Sequence, residues 1–432
     1  MLEEEEINMR VKVVPYPTTI LFNIEGIDII GNYKTGSMVG LSDKGFHFIR
    51  KALNGESILM EDLDADDIEL LKALFKYEIV HDDSIHIEGK NEIDSAYLHI
   101  TNKCNLHCIG CYSRDNARNK EEGLSLEIIN HIIEELKKYS LKNLIISGGE
   151  PFLRNDLDEI VKYAKEEIMV EKVVIITNGT IIKESVLYNI KPYVDYIAVS
   201  IDGFNEENAA YLRDSGIFNK VIQTIKLIKS SGISVNILPT LHKKNIYHIE
   251  EYIKLAKSLN VSVSFSLLTC NFNNLKECED FVPSTSELVY LGEYLSDKIG
   301  KNDISVENIS VEVKRSCEAG KKLISIAANG DVYPCHMLHV GEFSFGNIVN
   351  TSLEEILNSS NARKFRNLHV DDFKECKNCK YRYLCGGGCR ANAFYSFYNI
   401  FGKDSYCSMY TEYYKYVVNM LKSLKREKNK IV

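Results

Sequence analysis

The chain has 432 residues, 52 Lys and Arg against 61 Asp and Glu for a formal net charge of −9, and 12 Cys but no Trp. Hydrophobic residues at 45% and charged residues at 26% are globular values that exclude collagen-like or wholly disordered structure. The acidic balance argues against nucleic-acid or membrane partners, and with no secretory signal at the start and no apolar run of about 18 residues, a cytoplasmic protein is expected.

Residues 1–90 contain no Cys and read as a small separate domain. Two β-type runs, 18–23 and 27–30, flank the turn Glu25-Gly26. A helix follows, with Ser42 as N-cap and Phe46, Ile49 and Leu53 on one face, then a second with Ile68, Leu71, Leu74 and Phe75 on one face. The alternation at 84–87 predicts a wing-like strand, and the polar stretch 89–92 marks a boundary. This order of elements is winged-helix-like. The acidic run 61–67 opposes the DNA-binding version of such a domain.

Residues 91–305 change rhythm. Strands are predicted over 97–101, 143–147, 172–177, 196–201, 234–238 and 262–267, with helices over 126–139, 156–167, 218–230 and 246–258. Six strands with helical crossovers make a parallel α/β sheet, an open or partial barrel with its active site at the carboxyl ends of the strands. His242-Lys243-Lys244, after the fifth strand, reads as a solvated turn.

Twelve Cys in a reducing compartment point to metal ligation or catalysis. The first group, Cys104-x3-Cys108-x2-Cys111, follows the first barrel strand. Three thiolates so close can wrap one face of an iron–sulfur cube and leave one iron open. A zinc loop completed by a residue such as His107, or ordinary buried cysteines, are the alternatives on spacing. Other strand ends carry Gly148-Gly149-Glu150-Pro151, Asn178, Ser200 with Asp202, and Arg213 in Leu212-Arg213-Asp214-Ser215-Gly216. Each alone reads as a turn, a loop cap or a surface charge.

Together these motifs resemble the radical S-adenosylmethionine (radical SAM) superfamily. The resemblance implies a 4Fe-4S cluster on Cys104, Cys108 and Cys111, with the amino and carboxylate groups of S-adenosylmethionine on its fourth iron and a 5′-deoxyadenosyl radical as product. It further implies that Gly148 and Gly149 let backbone approach the cofactor, Glu150 binds its ammonium, Ser200 and Asp202 its ribose and Arg213 its carboxylate, with Asn178 a further contact. One departure is Gly110, where the family has an aromatic residue, so Tyr112 or Ile109 is expected to pack near the adenine.

Residues 306–432 carry Cys317-x12-Gly330-x4-Cys335, then Cys376-x2-Cys379-x5-Cys385-x3-Cys389, then Cys407. On spacing alone two zinc sites compete with iron–sulfur ligation. The segments 329–335, 345–348 and Cys385-Gly386-Gly387-Gly388-Cys389-Arg390 resemble the SPASM domain of peptide-modifying radical SAM enzymes. The resemblance implies one auxiliary 4Fe-4S cluster on Cys376, Cys379, Cys385 and Cys407 and another on Cys317, Cys335 and Cys389, for three clusters in all. Relatives that fully ligate the latter have an extra cysteine at the position of Leu323. An iron is thereby open to a substrate thiolate, unless Cys270, Cys278, His336 or His339 closes it.

The winged-helix-like segment is similar to the element with which peptide maturases capture a leader peptide by strand addition. The expected fold is therefore α/β, a partial (β/α)6 TIM-type barrel with an N-terminal winged-helix-like domain and a C-terminal cluster-binding SPASM domain. The resemblance implies a radical SAM oxidoreductase acting on a ribosomally made precursor peptide, through Cys sulfur-to-carbon thioether crosslinks as in sactipeptide or ranthipeptide synthases. Expected partners are that peptide, with its leader, and a reducing donor such as flavodoxin or ferredoxin. Carbon–carbon crosslinking, anaerobic sulfatase maturation and, more remotely, a metal-binding DNA reader are the alternatives. No residue is singled out as catalytic acid or base. Tyr410, Tyr413, Tyr414 and Tyr416 read as helix packing, and 422–430 as a solvated helix end.

Overall fold

The computed structural model describes residues 10–11, 13–54, 58–59, 63–82, 93–114, 118–120, 123–208, 211–273, 275–298, 304–306 and 310–428. The wing strand expected at 84–87 and the boundary at 89–92 lie outside these residues.

Strands β1 (Thr19–Ile24), β2 (Ile27–Asn32) and β3 (Met38–Leu41) form an antiparallel sheet. Glu25 and Gly26 both have positive φ, the conformation that closes a two-residue hairpin with the right strand twist. Helix α1 (Asp43–Leu53) starts where the Ser42 hydroxyl accepts from the Gly45 amide, and α2 (Ala65–Lys76) at a capping box of Asp64 and Asp67. Alternation along β2 sends Ile30 into a local core with Ile49, Leu71 and Leu74, while Ile27 and Ile29 join the main core of the chain. The sheet is thus buried on both faces. Phe22 packs edge-on to Tyr383 at 5.2 Å, and Glu25 pairs with Lys380 and Lys422, which hold its carboxyl down to about 2.

The barrel strands are β4 (Ser95–His99), β5 (Asn143–Ser147), β6 (Lys172–Thr177), β7 (Tyr196–Ile201), β8 (Ser234–Leu241), β9 (Ser262–Leu267) and β10 (Ile304–Val306). Helices α3 (Leu126–Lys137), α4 (Leu157–Glu166), α5 (Glu184–Ile190), α6 (Phe218–Ser230) and α7 (Ile249–Leu259) connect β4 through β9. All six predicted strands form, and two more extend the parallel sheet beyond them. One is β10; the other is β11 (Leu323–Ile326), which pairs in parallel with β4. Short antiparallel strands β12 (Asp331–Tyr333) and β13 (Gly346–Asn347) complete a ten-stranded sheet, ordered β10-β9-β8-β7-β6-β5-β4-β11-β12-β13. Along each strand the period of two divides the work: Leu144 and Ile146 pack under the helices, while Ile145 between them faces the lumen.

Helix α8 (Thr285–Lys298) and the long C-terminal helix α11 (Cys407–Lys428) pack closely, and a Cβ at Gly292 would lie 2.5 Å from the Met409 carbonyl. Tyr410, Tyr413 and Tyr414 are buried in this packing, whereas Tyr416 is exposed. Between them in sequence lie α9 (Ser360–Arg366) and α10 (Arg390–Phe397). Among the described residues no helix is long and apolar enough to cross a membrane.

The first strand ends earlier than the predicted 97–101 because its exit crosses the end of β5. The Thr101 carbonyl accepts from the Gly149 amide at 2.7 Å and the Lys103 carbonyl from the Glu150 amide at 2.8 Å. A Cβ on Gly149 would collide with the Lys103 carbonyl, and one on Gly148 with that of Thr101. Both obstacles are backbone, so neither can swing aside. Gly149→Ala is expected to lower the chemical-denaturation stability of the apoprotein by about 3 kcal/mol. Gly26→Ala, with positive φ but open space around it, is expected to cost about 1 kcal/mol in the same measurement.

Candidate active site in the barrel lumen

A cavity of about 430 Å³ occupies the lumen and is bounded by the loop that carries Cys104, Cys108 and Cys111. None of the twelve cysteines is in a disulfide. The three thiols lie within electrostatic reach of one another: burial pushes Cys108 up to about 11, the Arg213 guanidinium opposes this, and Cys111 and Cys104 add to it. Polar side chains hold the loop at each cysteine. The Asn119 amide bonds both main-chain groups of Cys104, at 2.8 and 3.1 Å. Asn178 donates to Asn105 at 3.0 Å, and Asn105 to Thr180 at 2.8 Å. Asn271 donates to the Cys111 carbonyl at 3.2 Å, and Arg118 lies 3.5 Å from its sulfur.

Of the residues expected at the cofactor, Gly148, Gly149, Asn178, Ser200 and Arg213 line the cavity. Arg213 Nη1 stands 3.7 Å from Cys108 Sγ. The two carboxylates stand one layer behind. Glu150 is fully buried and accepts from Thr177 Oγ1 and the Asn178 amide, both at 2.8 Å, so it locks the end of β6 to the end of β5. Asp202 accepts from the amides of Leu212 and of Arg213, the latter at 2.9 Å, and so fixes the loop that aims Arg213. Burial drives both carboxyls up, against these donors.

Gly110 has a physical reason to depart from an aromatic residue. Its φ is +72°, and a Cβ there would meet Leu268 at 2.8 Å and Cys278 Sγ at 3.3 Å. Tyr112 and Ile109 both line the cavity; the Tyr112 hydroxyl bonds Ser147 Oγ at 2.6 Å, and its ring meets His336 edge-on at 5.1 Å.

The expected solvated turn at 242–244 needs correction. Lys243 and Lys244 are exposed, but His242 is fully buried between the rings of Tyr211 and Phe281. Asn245 causes this by accepting from the His242 amide and donating to the Thr240 carbonyl, which folds the turn inward. Burial holds His242 down to about 3, so at neutral pH its 3.9 Å contact with Asp202 is not an ion pair.

The C-terminal thiols fall into two further groups. Cys376, Cys379, Cys385 and Cys407 influence one another electrostatically, and Cys389 feels Cys317 and Cys335. Their scaffold is the Cys385 to Arg390 turn, in which Gly386, Gly387 and Gly388 all have positive φ. Arg390 is buried, donates to the carbonyls of Ile400 at 2.7 Å, Gly402 at 2.9 Å and Gly387, and lies over the Phe373 ring. Asp404 accepts from the amides of Cys389 and Tyr406 at 2.6 and 2.8 Å, and a Cβ on Gly388 would lie 2.5 Å from its carboxylate. Asn392 accepts from Thr269 at 2.6 Å, tying α10 to the end of β9. Cys270 and Cys278 contact each other, with the Tyr406 phenol within reach of both and of Cys389. His336 and Met337, immediately after Cys335, line the cavity.

Among the described residues no three His, Cys, Asp or Glu side chains converge on one metal ion. The thiols around an iron–sulfur cube bind separate irons and need not converge. Burial raises Cys108, Cys376, Cys385 and Cys389, so as thiolates these groups require compensating positive charge, which soft iron supplies. The donor sets fit iron–sulfur clusters.

A model of the radical SAM superfamily matches residues 98–256, and one of the SPASM iron–sulfur cluster-binding domain matches residues 317–380. The AdoMet-dependent heme synthase of Methanosarcina barkeri is 26% identical over 336 residues, 71% of this chain and 94% of that protein. The antilisterial bacteriocin subtilosin biosynthesis protein AlbA of Bacillus subtilis is 28% identical over 315 residues, 70% of this chain and 69% of that protein. The crystal structure of Streptococcus suis SuiB bound to its precursor peptide SuiA shares the fold, with a TM-score of 0.61 at 18% identity over 92% of this chain and 100% of that one. Radical SAM enzymes use S-adenosylmethionine with a 4Fe-4S cluster, and SPASM domains hold auxiliary clusters. The chain belongs to the radical SAM enzymes that carry a SPASM domain, related to the peptide-modifying maturases.

Proposed function

We propose that the enzyme modifies a ribosomally made precursor peptide by joining a Cys sulfur to a carbon in a thioether crosslink. The observation that carries this reading is that Cys104, Cys108 and Cys111 line the cavity together with His336 and Met337, the two residues that follow Cys335 of the Cys317, Cys335 and Cys389 set. Each set would hold a 4Fe-4S cluster through three thiolates, and the iron without a protein thiolate would be available to the cofactor at the first and to a substrate thiolate at the second. Leu323 lies in β11 and offers no fourth thiol. Cys376, Cys379, Cys385 and Cys407 hold the third cluster.

When bound, S-adenosylmethionine on its cluster supplies a 5′-deoxyadenosyl radical that takes hydrogen from carbon. The chain's own residues position and enclose. Asn178, Ser200 and Arg213 would face the cofactor, Glu150 and Asp202 hold two of them in place, and the lumen strands wall the cavity. Residues 1–90 capture the leader, with the edge of β3, which pairs with no further strand among the described residues, as the template for an added strand. The SuiB structure, similar over nearly the whole chain, contains a precursor peptide, which supports this reading. Twelve cysteines outside disulfides suit a reducing cytoplasm, where a flavodoxin or ferredoxin supplies electrons.

Reconstituted protein is expected to hold about twelve irons per chain. The triple variant Cys104→Ala, Cys108→Ala, Cys111→Ala is expected to keep about eight and to form no 5′-deoxyadenosine. Asp202→Asn, which weakens the support of the Arg213 loop, is expected to raise the KM for S-adenosylmethionine about tenfold with a smaller change in kcat. Co-expression with a short Cys-containing open reading frame from the gene neighbourhood tests the reaction. Each thioether removes one hydrogen from sulfur and one from carbon, and the modified Cys resists iodoacetamide. The same mass loss with an alkylatable thiol indicates a carbon–carbon crosslink instead, and an unchanged peptide sinks the thioether assignment.

A further inference from the structure

We propose that Cys270 and Cys278 form a reversible thiol–disulfide site, oxidised by a low-molecular-weight disulfide, whose closure locks a strap across the Cys104 to Cys111 loop. The site lies outside the chemistry assigned above and stands whatever substrate the lumen takes. Ten of the twelve cysteines fall into the three groups already described, which leaves these two. The fold brings them together: their side chains are hydrogen-bonded to each other across the turn that separates them. Cys278 is fully buried with Leu212, Leu268 and Phe281, and Cys270 is partly exposed at the margin of that apolar group.

The residues between the two sulfurs tie down the far end of the cysteine loop. Asn271 Nδ2 donates to the carbonyls of Cys111 at 3.2 Å and Tyr112 at 3.3 Å, and Asn273 Nδ2 to that of Arg114 at 3.0 Å. Glu277 pairs with the Arg114 guanidinium at 2.6 Å. Cys278 itself packs against Gly110, where a Cβ would lie 3.3 Å from its sulfur. The strap is anchored on its other side as well: the Phe272 ring stacks on Tyr398 at 4.6 Å, and the Tyr406 hydroxyl donates to the Leu268 carbonyl at 2.9 Å. Two thiols held at a fixed approach close on each other in preference to staying joined to an outside thiol. A covalent bond between the ends then removes freedom from the strap and from the loop it holds.

The chemistry balances without a metal or a further reactant. Cys270, the more accessible of the two, gives up its proton and attacks one sulfur of the small disulfide, whose S–S bond breaks as a mixed disulfide forms and one small thiol leaves. Cys278 then gives up its proton and attacks the Cys270 sulfur, expelling the second small thiol. The pair has lost two electrons and two protons, and the small disulfide has gained both. Excess thiol reverses the sequence. A fourth-ligand role for either sulfur at the Cys317, Cys335 and Cys389 set competes with this site, because a thiolate held on iron is withdrawn from exchange.

The test is a peptide map of the reconstituted enzyme, treated with oxidised glutathione without oxygen, blocked with N-ethylmaleimide and cut by trypsin without reductant. Lys276 lies between the two cysteines, so cleavage after it leaves them on separate peptides unless an S–S bond joins them. The joined pair is expected from oxidised wild type, is expected to separate with dithiothreitol, and is expected to be absent from Cys270→Ser and Cys278→Ser. Both variants are expected to keep the iron content of wild type. Hydrogen exchange at the amides of residues 111–114 is expected to slow severalfold on oxidation of wild type and to stay unchanged in Cys270→Ser. Maleimide on both cysteines of oxidised wild type, with no joined peptide, overturns the proposal. Loss of iron from Cys270→Ser overturns it too, and assigns that sulfur to a cluster. A joined pair with unchanged exchange overturns the lock on the loop.

Discussion

Thiols buried side by side cannot persist as thiolates without positive charge among them, and this constraint organises the molecule. Burial and mutual repulsion both favour the neutral thiol, as at Cys108 and Cys389. Two arginines are placed where they lessen that penalty. Arg213 faces Cys108, and the charge of Arg390 acts on both Cys317 and Cys376. Arg390 donates to the main-chain carbonyls of Ile400, Gly402 and Gly387, and none of these bonds cancels its charge, which acts on the sulfurs and on Asp404. Arg213 is fixed instead through its own amide on Asp202. The remaining charge has to come from iron, which couples cluster assembly to folding of the loops that carry the cysteines.

That coupling explains why glycines gather where they do. The Cys104 loop can pass over the end of β5 only because Gly148 and Gly149 lack side chains, and three consecutive left-handed glycines let Cys385 and Cys389 face different thiol groups. The sheet then joins the two regions. Because β11 pairs with β4, the segment that follows Cys335 runs along the lumen: His336 stacks on Tyr97 at 4.0 Å, and His339 bonds Ser325 of β11 at 2.8 Å. One continuous sheet therefore brings the Cys104 to Cys111 loop and the segment that follows Cys335 to the same cavity.

What the sequence discloses follows the range of the interactions involved. The six central strands are legible because each is a short run of apolar residues at strand spacing, set off by helical patterns along the chain, a local signal. Strand β11 is four residues long, and its partner β4 lies more than two hundred residues earlier, so no local pattern marks it. Glu150 and Asp202 can be picked out from their motifs, but their hydrogen bonds come from other loops, which only the folded chain brings near. His242 escapes for the same reason: two following lysines suggest solvent, while Asn245 turns the ring inward. Asp404, which organises the Cys389 turn, lies in a stretch with no motif, although a buried acid beside three crowded glycines has no other way to reach main-chain donors.

The lumen itself suits chemistry on carbon better than proton transfer. The charged side chains that line the cavity, Arg114, Arg118 and Arg213, all belong to the cysteine loop or to the segments packed against it. Their positive charge suits an anionic ligand at the cysteine loop. Deeper in, the walls are Ile145, Val174, Ile176, Ala198 and Leu238, with neutral polar groups between them. Burial holds His336 down to about 4, so the imidazole nearest Cys335 is uncharged as well. A hydrogen atom moves without net charge and needs no acid or base matched to it, only a fixed approach and dry walls. The barrel strands supply the walls, and the Cys104 to Cys111 loop and the segment after Cys335 border the approach.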